Sequence, residues 1–355
     1  FVTAALPFPA LPTAHGEALL RGVPATPMAF VRAIAHACAQ RGVDSALLLQ
    51  MAQIAPAHLN SSTQRVTAAQ FEALSSAAMQ QLDDEALGWF SRPLPWGSYG
   101  MLARASLSAP TLGVALKRWC RHHGLLTRDL TLALQTQGDE TFIALTEHRP
   151  PGGDGALREF CHVSVLRNVH GLACWLIDSR IPLRGASLGF AAPPHTDTYR
   201  VLFDGPCRFE AEHSAIHFDA RYLALPVKRD EAAMNQMLQR ALPLQVRPYR
   251  RDRLLVQRVR QLLLSQPQHT RNADDLAQLL NTSARSLHRQ LKDEGATLQA
   301  LKDEVRRERA LALLQRTQKP IKQVAEAAGF QNEKSFIRAF KAWTGLAPGE
   351  WRTRA

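Results

Sequence analysis

Two short stretches near the C-terminus share one pattern. The first is Leu276-Ala277-Gln278-Leu279-Leu280-Asn281-Thr282-Ser283-Ala284-Arg285-Ser286-Leu287-His288-Arg289-Gln290-Leu291-Lys292. The second is Val324-Ala325-Glu326-Ala327-Ala328-Gly329-Phe330-Gln331-Asn332-Glu333-Lys334-Ser335-Phe336-Ile337-Arg338-Ala339-Phe340-Lys341. In each, a short apolar helix meets a turn, and a second helix follows with an apolar pair at i, i+4. Leu287 and Leu291 become Phe336 and Phe340 at an offset of 49. Arg285, Arg289 and Lys292 become Lys334, Arg338 and Lys341, and each triplet shares one helix face opposite the apolar pair. A repeat of helix, tight turn and basic helix points to a tandem DNA reader, because a basic face can enter a major groove and meet guanine edges or phosphates.

The surroundings extend this into an all-helical module. Asp252–Leu264 shows one apolar face at 3.6 spacing. Asn272 is placed to cap Ala273–Leu280, Ser283 to cap Ala284–Glu294, and Asn332 to cap Glu333–Trp343, with Gly295 and Gly345 as stops. A helix over Leu298–Arg316, roughly 19 residues and about 28 Å long, joins the two units. That length is near one B-DNA turn (about 34 Å), so both basic helices can reach successive grooves on one side of a duplex. The residues expected at DNA are Ser283, Arg285, Ser286, His288, Arg289 and Lys292 in the first unit, and Asn332, Lys334, Ser335, Arg338 and Lys341 in the second. His288 and Ile337 occupy matching positions beside the basic faces, where a difference would let the units read different bases, with partial packing as the alternative for either residue.

Charge agrees with this division. From residue 251 onward the chain carries 20 Lys/Arg against 11 Asp/Glu, so +9 of the net +12 lies in this segment of a 355-residue chain. A basic module on a near-neutral body suggests a polyanion partner, although a solvated charged surface would give the same bias. The five cysteines, Cys38, Cys120, Cys161, Cys174 and Cys207, form no CxxC pair. That pattern fits reduced, buried thiols in a cytosolic protein. No apolar run approaches the ~20 residues needed to span a membrane. The start, Phe1 to Pro7, has neither Met nor a basic region and reads as a trimmed start, not a signal peptide.

The upstream residues read as a mixed α and β body. Residues 1–25 are a poorly ordered lead-in. Thr26 is expected to cap a helix over Met28–Gln40, Asp44 opens one through Met51, and Thr67 caps Ala68–Leu82. Helical patterns recur over Leu102–Leu107, Pro110–His123 and Ala156–Ser179. Thr127–Gln135 and Thr141–His148 alternate as a hairpin. Ser187–Ala191, Cys207–Glu210 and Ala215–Phe218 read as short strands around a helix near His195–Leu202. A helix from Asp230 to Leu242 and the proline-containing link 243–248 lead to the basic module. The chain therefore divides into a 1–25 lead-in, a 26–226 mixed α and β body, a 227–250 linker, and a 251–355 DNA-binding domain with units at 273–294 and 321–343.

No catalytic, cofactor or metal motif stands out: nothing resembles GxSxG or HExxH. His162, His170 and Cys174 share a stripe of one helix and could ligate a metal, but buried polar residues on a core helix are the better reading. Trp96, Tyr99, Met101 and Arg104 could line a sensing pocket, since aromatic walls and one cation suit a small carboxylate; core packing is an equal alternative.

The segment Ala325 to Phe330, then Ser335 to Gly345 and Pro348 to Arg352, resembles the signature of the AraC/XylS family of bacterial transcription regulators. Ser283, Arg285, Leu287, Arg289, Leu291 and Gly295 in the first unit fit the same pattern, as do Glu304 to Arg306 and Ala310, Leu313 and Leu314. Phe160 to His162, Pro193 to His195, Tyr199, Leu202-Phe203 and Arg208-Phe209 resemble, more loosely, an N-terminal effector domain of regulators of amino-acid use and virulence. The resemblance implies an α+β multidomain chain, with a mixed α/β sensing domain followed by an all-α tandem helix-turn-helix domain, and makes the 26–226 body an effector-binding and dimerisation domain. It also implies a cytoplasmic, σ-factor-assisted activator or repressor that binds promoter DNA, meets RNA polymerase, senses a small molecule and often forms a homodimer. An enzyme using such a module for targeting, like DNA-alkyl-repair proteins, would need zinc-ligating cysteines that are absent here. A non-specific nucleoid or scaffold protein would bind promoter and random DNA alike.

Overall fold

In a computed structural model of the chain, residues 20, 23–151, 155–239, 254–270 and 272–354 are described. They fall into two compact units, 1–250 and 251–355. The lead-in up to residue 19, the glycine-rich loop at 152–154, and the link at 243–248 lie outside the described residues.

In the first unit, helices α1 (Met28–Gln40), α2 (Ser45–Met51) and α3 (Ala68–Leu82) pack together. Local sequence decides two of their starts. Asp44 accepts a hydrogen bond from Ala46 N, and Thr67 forms a capping box with Gln70, each satisfying amides that a helix start leaves open. Thr26 does not cap α1. It pairs with Val66 in a two-stranded ribbon, β1 (Thr26–Pro27) against β2 (Arg65–Val66), and α1 begins without a side-chain cap.

Helix α4 (Ser98–Leu107) starts four residues earlier than the sequence pattern suggests. The Glu85 carboxylate accepts from Gly97 N at 2.8 Å and Tyr99 N at 2.7 Å, and so caps the helix from a distant loop. Gly97 itself sits at φ 99°, a conformation that favours glycine. Helix α5 (Leu112–Leu126) follows, then the hairpin β3 (Leu130–Gln137) and β4 (Glu140–Glu147), in register through a two-residue turn at 138 and 139.

Helix α6 (Gly155–Leu176) is the centre of the unit. Sixteen of its 22 residues are buried, as expected of a helix that is largely apolar all round. It packs against α1, α5, β4 and the later strand at Ser214–Asp219. The sheet is completed by β5 (Leu183–Ser187), β6 (Cys207–Arg208) and β7 (Ser214–Asp219), in the order β3-β4-β7-β5-β6. All pairs are antiparallel except β5 with β6. The strand expected at 187–191 lies at 183–187 instead, with a register shift between Leu183 and Gly185. Beyond it, Leu188 turns to meet the Arg208 carbonyl. Helix α7 (Tyr199–Phe203) lies between β5 and β6, and α8 (Glu231–Leu238) packs on α4.

The second unit is helical throughout its described residues: α9 (Leu254–Ser265), α10 (Ala273–Leu279), α11 (Ala284–Asp293), α12 (Leu298–Arg316), α13 (Ile321–Ala327), α14 (Glu333–Thr344) and α15 (Pro348–Arg354). It has two cores. Leu276, Leu287 and Leu291 join Val256, Val259 and Leu263 in the first; Val324, Phe336 and Phe340 form the second. Helix α12 contributes to both, with Leu298, Leu301 and Val305 in one and Ala310 and Leu314 in the other. Phe336 and Phe340 are fully buried, each contributing roughly 1.5–3 kcal/mol by transfer from water.

Candidate nucleic-acid interface and sensing domain

The two helix-turn-helix units differ by one residue in the turn. Asn281 at φ 52° and Gly329 at φ 86° occupy the left-handed region after the first helix, where small side chains that tolerate positive φ are favoured. Two residues then separate the first helix's C-cap, Leu280, from the Ser283 N-cap, against three between Ala328 and Asn332. The longer turn brings Phe330 onto Phe336 and Trp343, at ring separations of 5.4 and 5.9 Å. The Arg306 guanidinium of α12 lies over the Phe330 ring at 5.2 Å, a cation–π contact that ties the spacer helix to the second turn.

Both outer helices are capped as their sequences indicate. Ser283 Oγ accepts from Ser286 N at 3.1 Å and donates to Ser286 Oγ at 3.0 Å. Asn332 Oδ1 accepts from Ser335 N at 2.8 Å. These four residues thus build the helix starts, with Ser283 and Asn332 exposed there and Ser286 and Ser335 half-buried.

Arg285, Arg289 and Lys292 on α11, and Lys334, Arg338 and Lys341 on α14, are all exposed. None of the six has an ion-pair partner among the described residues. Among the other cations of the unit, Arg260 meets Glu304 at 3.8 Å and also Glu308, and Arg352 donates to the Lys319 carbonyl, while the exposed Arg307, Arg316, Lys319 and Lys322 have no ion-pair partner among the described residues either. The six are thus left with unspent charge on two matched faces, each backed by a buried apolar pair. His288 is exposed, whereas its counterpart Ile337 packs partly on the second core.

The family model described as the arabinose-binding domain of AraC transcription regulator, N-terminal, matches residues 42–227, and a helix-turn-helix domain model matches residues 276–354. The chain belongs to the AraC family of transcription regulators. It is 30% identical over 329 residues to the ornithine utilization regulator of Pseudomonas aeruginosa, covering 92% of this chain and 96% of that one. It is 27% identical over 265 residues to the transcriptional regulator VqsM of the same organism, covering 72% of this chain and 79% of that one. The crystal structure of the P. aeruginosa regulator CdpR aligns at 19% identity and a TM-score of 0.34, over 92% and 98% of the two chains. This AraC-family chain is a DNA-binding transcription regulator with an arabinose-binding-like effector domain, and its relatives are regulators rather than enzymes.

In the effector domain, the four residues singled out for sensing do not converge. Trp96 and Met101 are 49% and 59% exposed. Arg104 also faces solvent and is engaged by α8, donating to Glu231 at 2.9 Å and Asn235 at 2.6 Å. Tyr99 alone turns inward, stacked on Trp119 at 6.0 Å, with its hydroxyl 3.4 Å from His123 Nε2. Burial holds the Tyr99 hydroxyl well above its usual range and lowers the His123 ring to about 4.

The stripe His162, His170 and Cys174 serves hydrogen bonding. His162 bridges Glu147 at 2.7 Å and Ser214 at 2.9 Å. His170 meets the Ile181 carbonyl at 2.8 Å, with Cys174 Sγ at 3.6 Å. Among the described residues no three His, Cys, Asp or Glu are placed to hold a metal ion, and no helix is long and apolar enough to cross a membrane.

A polar cluster that the sequence alone did not reveal centres on Glu159 of α6. Its Oε1 accepts from His195 Nε2 and from the Tyr199 hydroxyl, each at 2.6 Å. The Phe160-Cys161-His162 and His195/Tyr199 motifs flank it, but separations of 36 and 40 residues hide such a pairing from any local pattern.

Proposed function

We propose that this regulator reads promoter DNA with α11 and α14 at once. Arg285, Arg289 and Lys292, and Lys334, Arg338 and Lys341, contact bases or phosphates; Ser283, Ser286, Asn332 and Ser335 sit at the helix starts beside them, and His288 lies midway along α11. The observation that carries the proposal is the pair of matched cationic faces whose charges have no ion-pair partner among the described residues. The spacer α12, 19 residues and about 28 Å long, belongs to both cores and fixes the two helices on one rigid element.

The effector domain senses a small molecule, and dimerises, in the cytoplasm; the DNA-bound regulator, nucleoid-associated, then acts on RNA polymerase as an activator. Similarity to an ornithine utilization regulator favours an effector from amino-acid metabolism. The sensing role falls to the interior of the domain, because Trp96, Met101 and Arg104 meet solvent. Selection of bound duplexes from a random pool, repeated with candidate metabolites, tests the whole reading. Enrichment of one sequence with two conserved half-sites, altered by a metabolite, is expected. A pool that stays random after repeated rounds refutes specific reading.

A further inference from the structure

Buried carboxylates in the first unit generally have both oxygens occupied. Asp84 receives amides from Ala86, Gly88 and Leu94 together with Arg41. Asp129 receives the amide and hydroxyl of Ser91, one on each oxygen. Glu159 differs. The residue is 6% exposed, and His195 and Tyr199, at 5% and 1%, both donate to Oε1. Oε2 has no donor among the described residues, and no Lys or Arg among them pairs with this carboxylate.

The walls around it are aromatic. His195 and Tyr199 stack at 6.4 Å and 18°, Phe30 meets the His195 ring edge-on at 6.3 Å, and Phe30 packs on Phe160 at 5.1 Å. A buried carboxylate with one open acceptor oxygen, set among aromatic rings, suits an ammonium group. The group would donate a charge-assisted hydrogen bond to Oε2, and the rings would stabilise its charge. A carboxylate ligand would be repelled there, and an apolar one would leave Oε2 desolvated.

The segment 193–198 carries His195 to the cluster. It directs His195 inward and Asp197 outward, where Asp197, exposed, meets Arg65 of β2 at 3.1 Å. Asp197 is the solvent-facing end of that pair, whereas the Arg65 side chain is only 14% exposed. We propose that Glu159 anchors an effector site for a small primary amine, closed by His195 and Tyr199.

This rests on reading the N-terminal domain as the sensor. Calorimetric titration of the full chain with 1,4-diaminobutane and 5-aminopentanoate, and with glutarate as the ammonium-free control, tests it. At least one amine is expected to bind saturably and glutarate not. Glu159→Gln should weaken amine binding at least about tenfold, as loss of a charge-assisted bond does, while promoter affinity without amine stays at the wild-type value. If Glu159→Gln fails to fold by circular dichroism, Tyr199→Phe, which removes one hydroxyl, serves instead and should weaken binding severalfold. The proposal is overturned if neither amine binds wild type, if glutarate binds in their place, or if the folded variant binds amine as wild type does. Failure of the wild-type chain to bind selected promoter DNA would instead sink the regulator's DNA reading, so the two failures are distinguishable.

Discussion

Replacing Arg289 and Arg338 by alanine removes one cation from each reading face and leaves both cores intact. Each side chain is exposed and lies opposite a buried pair, Leu287 with Leu291 or Phe336 with Phe340. If all six cations on the two faces neutralise phosphates, log K falls against log salt with a slope of about −5, and affinity drops about a thousandfold between about 50 and 200 mM salt. An arginine spent on a phosphate takes about 0.9 from that slope when removed, on any sequence. An arginine reading a guanine edge instead costs about 1–3 kcal/mol on the cognate site and little on random DNA. The two arginines stand over separate cores, so their effects should add, to about 2–6 kcal/mol in the double variant on a cognate site if both read bases. Fluorescence anisotropy at several salt concentrations, on a selected operator and a scrambled duplex, separates the cases. A double variant with wild-type affinity and wild-type slope on both duplexes would refute the assignment of these faces to DNA.

The caps and the buried histidines carry further expectations. Asn332→Ala and Ser283→Ala should each lower stability by about 1 kcal/mol in urea denaturation, with Asn332→Asp near wild type; an unchanged midpoint in both alanine variants would contradict the capping geometry. Phe340→Ala, at a fully buried position, should cost roughly 3–5 kcal/mol, read in the same assay and contradicted by a loss under about 1 kcal/mol. His123 and His170 are held neutral by burial, each lowered to about 4. The unfolded chain takes up their protons from about pH 6.5 downward and the folded one does not, so their stabilising effect is complete above about pH 6.5 and is lost towards pH 4. Each ring should cost about 1.4 kcal/mol per pH unit within that window, so denaturation midpoints at pH 7 and 5 should differ clearly, and identical midpoints would show that the rings titrate normally.

What could be read from sequence was what neighbouring residues decide. Asp44, Thr67, Asn272, Ser283 and Asn332 accept from their own helices' first amides, a bond that depends on residues two or three places away. The 298–316 spacer was legible from its own helical pattern, and Thr297 caps it. Where a distant residue decides, the pattern failed. Thr26 became a strand because Val66 pairs with it, and α4 began early because Glu85 reaches across to its amides. Trp96 and Met101 looked like pocket walls by composition, yet tertiary packing leaves them on the surface. Glu159, His195 and Tyr199 meet only once α6 and the 195–199 segment are packed together, so a composition-based search for a sensing site had no signal to follow.

The central claim is that α11 and α14 read one duplex together, held apart by α12. The most direct measurement is a footprint and affinity series on the selected operator, with five or ten base pairs inserted between its half-sites. Protection should cover two successive major grooves on one face, about 10 base pairs apart. Five inserted base pairs turn one half-site to the opposite face and ten move it a full turn away, beyond the reach of a spacer of about 28 Å, so both insertions should reduce binding to that of a single unit. Full affinity with the five-base-pair insertion, or protection of only one groove on the uninterrupted site, would contradict it.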